Sequence, residues 1–122
     1  PAPGLARWLD ETGLADLPQP DLGQLAARYL LTARRKDGLP VDPVARFHLG
    51  NGAELHALHE NADTSAKGQQ QSRGVMVNYL YDLARVSENH EAYAASGTLA
   101  ASGAVRELSE AAEAILKKEP AQ

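Results

Sequence analysis

The sequence contains no cysteine, so it can form neither a disulfide framework nor a thiolate metal site, which suits a reducing compartment. It has no cationic excess either. Its 12 Lys and Arg are outnumbered by 16 Asp and Glu, for a net charge of −4. Phosphate neutralisation needs clustered basic side chains, so nucleic acid is not an expected partner. No apolar run approaches the ~18–20 residues of a membrane span, and the amino end shows no charged-then-apolar leader. Cytoplasm is the expected location. Walker and dinucleotide glycine patterns are absent, as is His-Glu-x-x-His. The only methionine is Met76, and the chain starts at Pro1-Ala2-Pro3-Gly4. It reads as a piece of a longer polypeptide.

What is present is ordinary globular composition: 122 residues, 43% hydrophobic and 23% charged, enough for one small domain or part of a larger one. Leu5, Trp8 and Leu9 share one helical face, with Trp8 as a packing anchor and a stop near Thr12-Gly13. Pro18-Gln19-Pro20 breaks the chain. Asp21 then caps a helix whose stripe is Leu22, Leu25, Ala26, Tyr29, Leu30 and Ala33, with Asp37-Gly38 as its stop. Asp42-Pro43 repeats the start signal, so a short helix is predicted from Val44 to about Leu49, ended by Asn51-Gly52. Ala53 to Asn61 and Gly74 to Tyr81 read as antiparallel strands joined by a polar loop, Ala62 to Arg73, too long for an ordinary hairpin. Ser87 is the expected cap of a helix from Glu88 to Ala95. Ser102 should cap a last helix with Val105, Leu108, Ala112, Ile115 and Leu116 inside, before Pro120.

The total is about five helices and two strands, a ratio that leaves two open sheet edges. Folded proteins pair or cover such edges. Chain beyond this one is therefore expected to supply the rest of the sheet, and the isolated chain is expected to be inactive and poorly stable.

Among the polar residues, His48 falls on the last turn of the predicted short helix, beside a sharp turn. There it can face a cleft and transfer protons, or serve as a hydrogen-bonded structural histidine. His56 and His59 should point to opposite faces of a strand, and adding His90 makes no ligand set, so no metal site is expected. The loop carrying Asp63, Ser65, Lys67, Gly68, Ser72, Arg73 and Gly74 can donate to phosphate oxygens or form a solvated tip. Arg34-Arg35-Lys36 and Lys117-Lys118 read as solvated helix ends. On the second strand Asn78 is a polar oddity, and the two tyrosines are read as facing differently. Tyr79 fits the core; a buried Tyr81 hydroxyl would need a neighbour or a ligand.

These segments carry a resemblance. Asp42-Pro43-Val44-Ala45-Arg46-Phe47-His48-Leu49-Gly50-Asn51-Gly52-Ala53, then Ala62 to Gly68, then Ser72-Arg73-Gly74-Val75-Met76-Val77-Asn78-Tyr79-Leu80-Tyr81, resemble the C-terminal part of malonyl-CoA decarboxylases. The likeness continues through Asn89-His90-Glu91-Ala92-Tyr93 and the closing helix. The resemblance implies an α+β fold, the C-terminal portion of a GNAT acetyltransferase-like domain, with an upstream segment completing the sheet and a helical bundle mediating homo-oligomers. It implies decarboxylation of malonyl-CoA to acetyl-CoA and carbon dioxide without metal or organic cofactor. The family's catalytic histidine carries over to His48. Its serine, in Ser-Pro-x-Pro-Gly, would immediately precede Pro1. Tyr81 carries over as a site-lining residue, with Asn51 and Gly52 shaping the turn behind His48. Lys67 and Arg73 are candidate phosphate contacts by their loop position alone. Two alternatives stay open: an acyl-CoA binding or acyl-transfer module of the same fold, and a non-enzymatic helical interaction domain.

Overall fold

Helices begin where a capping oxygen or a proline stands ready and end where the backbone can turn left-handed. In the computed structural model, which describes residues 2–16 and 21–118 with side chains through residue 114, α1 spans Leu5–Thr12 and closes on Gly13 at φ 77°. A short 3-10 turn follows at Leu14–Asp16. α2 spans Leu22–Thr32, its N-terminus capped by the Asp21 carboxylate accepting from the Gln24 N–H at 3.0 Å. The predicted stop at Asp37-Gly38 comes too late. Ala33 is already extended, and Arg34 bridges to Pro40, so Asp37-Gly38 forms the tip of a small hairpin instead.

α3 spans Pro43–Gly50. One oxygen of Asp42 accepts from the Val44 and Ala45 N–H groups at 3.0 and 2.9 Å, satisfying donors that a helix start leaves open. The helix ends at Asn51, and Gly52 continues at φ 93°. A β-carbon on Gly52 would lie 2.4 Å from the Val86 carbonyl oxygen, so only glycine fits there.

β1 (Glu54–His59) and β2 (Met76–Leu80) pair antiparallel, Leu55 opposite Tyr79 and Leu58 opposite Val77, with a bulge between Leu55 and Ala57. Their connection is not the loop the composition suggested, because it folds into α4, Ala66–Ser72. Ser65 caps it, its hydroxyl oxygen accepting from the Gly68 N–H at 3.0 Å, and Asp63 sits so close to Gly68 that any side chain there would strike its carboxylate. The polar residues that mimic a loop tip are the capping set of a short helix. α5 spans Val86–Ser96, starting ahead of the expected Ser87 cap on a turn anchored by the Asp82 carbonyl. α6 spans Gly103–Lys118, with the Ser102 hydroxyl accepting from the Val105 N–H at 3.2 Å as expected. The readings made for Pro18-Gln19-Pro20, Lys117-Lys118 and Pro120, and for the side chains of Ile115 and Leu116, lie outside what is described.

α1, α2 and α6 meet around Leu5, Leu9, Leu25, Ala26, Leu30, Val105 and Ala112, and one face of the sheet adds Leu55, Val75 and Val77. Trp8 packs on this cluster with its ring 5.4 Å from that of Tyr29. Each buried leucine or valine contributes about 1.5–3 kcal/mol of transfer free energy, which makes this side the stable half. Among the described residues both edges of the two-stranded sheet lack a neighbouring strand, and one residue of β1 is the exception to their openness. At the outer side of β1, Leu55 donates to the Ala100 carbonyl and accepts from the Ser102 N–H, both at 2.9 Å, a single parallel bridge to Ala101. β2 has no further strand partner among the described residues.

Candidate active site

α3 and β2 together place an imidazole between tyrosines. His48 is half-buried on the last turn of α3. Its ring lies on that of Tyr79, centroids 4.4 Å apart and planes inclined by 24°. Its Nδ1 is 2.7 Å from the Tyr81 hydroxyl, either group donating according to the imidazole tautomer. The tyrosines thus do not diverge as expected. Tyr81 directly follows β2, two residues beyond Tyr79, and both side chains converge on one ring. With Nδ1 engaged, Nε2 makes no hydrogen bond among the described residues, so the second nitrogen is available to a substrate atom.

The turn behind the imidazole is fixed several times over. The Asn51 amide donates to the Phe47 carbonyl at 2.9 Å, and the Asn51 and Ala53 N–H groups both donate to the His48 carbonyl at 3.1 Å. From α5, the Asn89 amide donates to the Gly52 carbonyl at 3.1 Å, and His90 Nδ1 lies 2.8 Å from the Gly50 carbonyl oxygen. Asn51 and Gly52 therefore hold the backbone that carries His48, Gly52 buried and Asn51 exposed.

Asp42, Tyr29 and Tyr79 carry buried oxygens that residue-type reasoning missed. Asp42 is only 1% exposed, and while one carboxyl oxygen caps α3, the other has no fully formed hydrogen bond. The hydroxyls of Tyr29 and Tyr79 are likewise buried and unpaired. The Gly4 N–H and the Tyr29 hydroxyl approach the carboxyl without reaching full hydrogen-bond geometry. Burial raises the Asp42 pKa above the ordinary carboxylate value, opposed by the N–H groups of Ala45, Gly4 and Val44. Burial, then the Asp42 charge, pushes both tyrosine hydroxyls up from 10.0. The only sequence signal was that Asp42 and Tyr29 already had ordinary jobs, cap and core.

Lys67 stands exposed on the first turn of α4, and Arg73 ends that helix with φ 53°. α4 packs on α1, and neither cation makes a hydrogen bond or ion pair with the residues around His48. His56 lies 3.7 Å from Glu54, and His59 meets the Asn78 amide at 3.0 Å. No group of three potential metal ligands occurs among the described residues. No described helix is long and apolar enough to cross a membrane.

Phe47, next to His48 on α3, is 65% exposed, Tyr81 42%, and Leu83, two residues beyond Tyr81, 94%. A hollow of about 260 Å³ beside Glu54, Arg85, Asn89 and Arg106 mixes acids with bases and is lined by neither His48 nor the two tyrosines. Another, about 460 Å³, opens between Gly4, Trp8, Tyr29, Val41 and Pro43, against the buried oxygens.

Residues 3–120 match the family model described as the malonyl-CoA decarboxylase C-terminal domain. The chain belongs to the malonyl-CoA decarboxylase family. Mitochondrial malonyl-CoA decarboxylase of Rattus norvegicus is 38% identical over 101 residues, 83% of this chain and 20% of that protein. The Anser anser anser enzyme of the same name is 39% identical over 88 residues, 72% of this chain and 17% of that protein. Among solved structures, malonyl-CoA decarboxylase from Rhodopseudomonas palustris superposes with a TM-score of 0.79 at 41% identity, over 88% of this chain and 31% of that one. The Agrobacterium vitis structure gives 0.78, also at 41% identity, over 88% of this chain and 34% of that one. The chain thus has the α+β fold of this family's C-terminal part, spanning about a fifth of the curated relatives' length and a third of the solved ones'.

Proposed function

We propose that this chain supplies the proton-donating wall of a malonyl-CoA decarboxylase active site, within a longer polypeptide that releases carbon dioxide from malonyl-CoA and leaves acetyl-CoA. The observation that carries the reading is the 2.7 Å contact of His48 Nδ1 with the Tyr81 hydroxyl, in a chain of this family, which leaves Nε2 without a hydrogen bond among the described residues. When the C–C bond to the carboxylate breaks, its electron pair passes to C2 and the thioester carbonyl as an enolate. Donors aimed at that oxygen lower the barrier, and a proton must then reach C2. His48 delivers it, directly or through water, and Tyr81 fixes the imidazole's orientation and tautomer. The reaction drawn in this way calls on no metal or organic cofactor.

The opposite wall belongs to the upstream segment of the same polypeptide, bearing a serine just before Pro1 that orients the malonyl group. That segment also continues the sheet from the bare edge of β2 in a GNAT-like arrangement. The exposed Phe47, Tyr81 and Leu83 are surfaces such a wall would cover. Lys67 and Arg73 remain candidate contacts to CoA phosphates, homo-oligomers the proposed assembly, and cytoplasm the proposed location.

Substituting His48→Ala in the complete polypeptide tests the core of this reading. Carbon dioxide release from malonyl-CoA should fall by about 10²–10⁴, the worth of a positioned proton donor. Near-normal turnover by that variant ends the assignment. Binding of malonyl-CoA without any carbon dioxide from the unsubstituted protein would favour an acyl-CoA binding or transfer module instead.

A further inference from the structure

α5 carries no buried residue, and of its side chains only Tyr93 packs on the apolar core. The helix lies instead against the end of α3, where Val86, Asn89, His90 and Tyr93 make the contacts. Spacings of three and four residues put all of them on one helical face. That face is fitted to two glycines. A β-carbon on Gly52 would strike the Val86 carbonyl, and one on Gly50 would stand 3.4 Å from the Tyr93 ring. Between those contacts the Asn89 amide donates to the Gly52 carbonyl at 3.1 Å, and His90 Nδ1 donates to the Gly50 carbonyl at 2.8 Å. A helix leaves its last four carbonyls without partners of its own. In α3 the N–H groups of Asn51, Gly52 and Ala53 between them serve the carbonyls of Phe47, His48 and Leu49. The remaining one, on Gly50, is met from α5.

We infer that Asn89 and His90 are positioning residues for His48: their hydrogen bonds fix the turn that ends α3, and with it the direction in which the imidazole leaves the helix. Neither makes a hydrogen bond to the imidazole, so both act through the backbone. Direction matters because the ring must meet two side chains of another element at once. It lies 4.4 Å from the Tyr79 ring, centroid to centroid, while its Nδ1 is 2.7 Å from the Tyr81 hydroxyl. A rotation of the last turn of α3 would loosen both contacts together. Glu88 and Ala92, on the next flank of α5, border the hollow of about 260 Å³ instead of packed core, so the polar face is what seats this helix. The proposal rests on His48 being the reacting imidazole, and one of its readouts does not.

The test is made in the complete polypeptide. Asn89→Asp keeps the size of the side chain but sets a carboxylate oxygen against the Gly52 carbonyl, acceptor facing acceptor. The expected result is a fall in kcat of about tenfold with KM held within about twofold, the pattern of a misplaced reacting group. His90→Ala removes a single exposed hydrogen bond and should lower kcat by about threefold. His90→Asn, whose amide can donate from near the place of Nδ1, should recover most of that loss. Ser96→Ala removes hydrogen bonds at the other end of α5 and should leave kcat unchanged. Independently of turnover, NMR of the histidine-labelled protein reads the displacement of the His48 ring-proton signal by the stacked Tyr79 ring, the signal being identified by its loss in His48→Ala. That displacement should shrink in Asn89→Asp and His90→Ala. If the signal and kcat both stay at wild-type values in the two variants, whatever happens to Tm, α5 is structural support and the proposal is overturned. His90→Ala and His90→Asn decide the matter if Asn89→Asp does not fold. If the signal moves but His48→Ala remains active, the positioning stands and the decarboxylase reading falls.

Discussion

The two sides of this chain obey opposite rules. On the side of α1, α2 and α6, apolar side chains are buried against one another, with Ser109 and the Gln24 side-chain oxygen the polar groups enclosed among them. On the side of α3 and β2, oxygens of Asp42, Tyr29 and Tyr79 are buried without settled partners, while the rings of Phe47 and Tyr81 and the side chain of Leu83 stand in the open. A stable domain avoids both features, and a site that works against a second wall needs both. The contrast says that stability and chemistry are separable here, and substitutions should separate them.

The sharpest separation sets His48→Ala against Leu30→Ala. The first should remove about 10²–10⁴ of turnover and leave Tm nearly unmoved, because the half-buried imidazole holds up little of the core. The second opens a cavity where a fully buried side chain stood and should cost about 2–5 kcal/mol of stability, with residual folded protein still active. Thermal unfolding and carbon dioxide release, measured on both variants, break the comparison if the effects are exchanged. Gly52→Ala joins the two sides. Its β-carbon would strike the Val86 carbonyl at a backbone φ of 93°, so it should cost more than about 1 kcal/mol and also disturb His48, lowering Tm and kcat together.

Asp42 gives the comparison a pH axis. Its folded pKa is raised by burial, so the folded state holds that proton more tightly than the unfolded chain does. The stability this confers is full below the ordinary value of 3.8 and is lost as pH rises through the raised folded value. Asparagine cannot titrate. Wild-type Tm should therefore fall relative to Asp42→Asn as pH climbs from about 4 toward neutrality, whatever constant offset the substitution adds. Asp63 has the opposite sign: hydrogen bonds from Ser65 lower its pKa, so its contribution is lost as pH falls. A parallel course of the two Tm curves above pH 4 would mean that Asp42 is solvated rather than buried.

The stable side was the more legible in sequence. The stripe from Leu22 to Leu30 and the caps at Asp21, Asp42 and Ser102 mark their helices because period and capping act within a few residues of one another. The polar loop failed for an instructive reason: Ser, Asp and Gly serve equally as turn residues and as the cap and close-packing glycine of a short helix, and only the contact between Gly68 and Asp63 decides between them. His48 was singled out through its motif and its helix end. The Tyr79 ring on which it lies was not, because Tyr79 reads as core in a strand pattern and its stacking on the imidazole depends on tertiary packing. Even the two-residue spacing of Tyr79 and Tyr81, which does place them on one face, became informative only with an imidazole between them.

The smallest expected effect tests what the exposed side is for. Leu83 is 94% exposed, so within this chain Leu83→Ser removes almost no packing and should change stability by less than about 0.5 kcal/mol, the ordinary range for a surface substitution. If a second wall covers this face in the complete polypeptide, that neutrality should disappear there, because the same leucine would then be buried at about 1.5–3 kcal/mol. Measuring Leu83→Ser in both contexts, by denaturant unfolding where the isolated chain folds and by thermal unfolding of the whole protein, compares one residue with itself. Equal and negligible effects in the two would leave the open side open, and would remove the upstream wall from over Leu83.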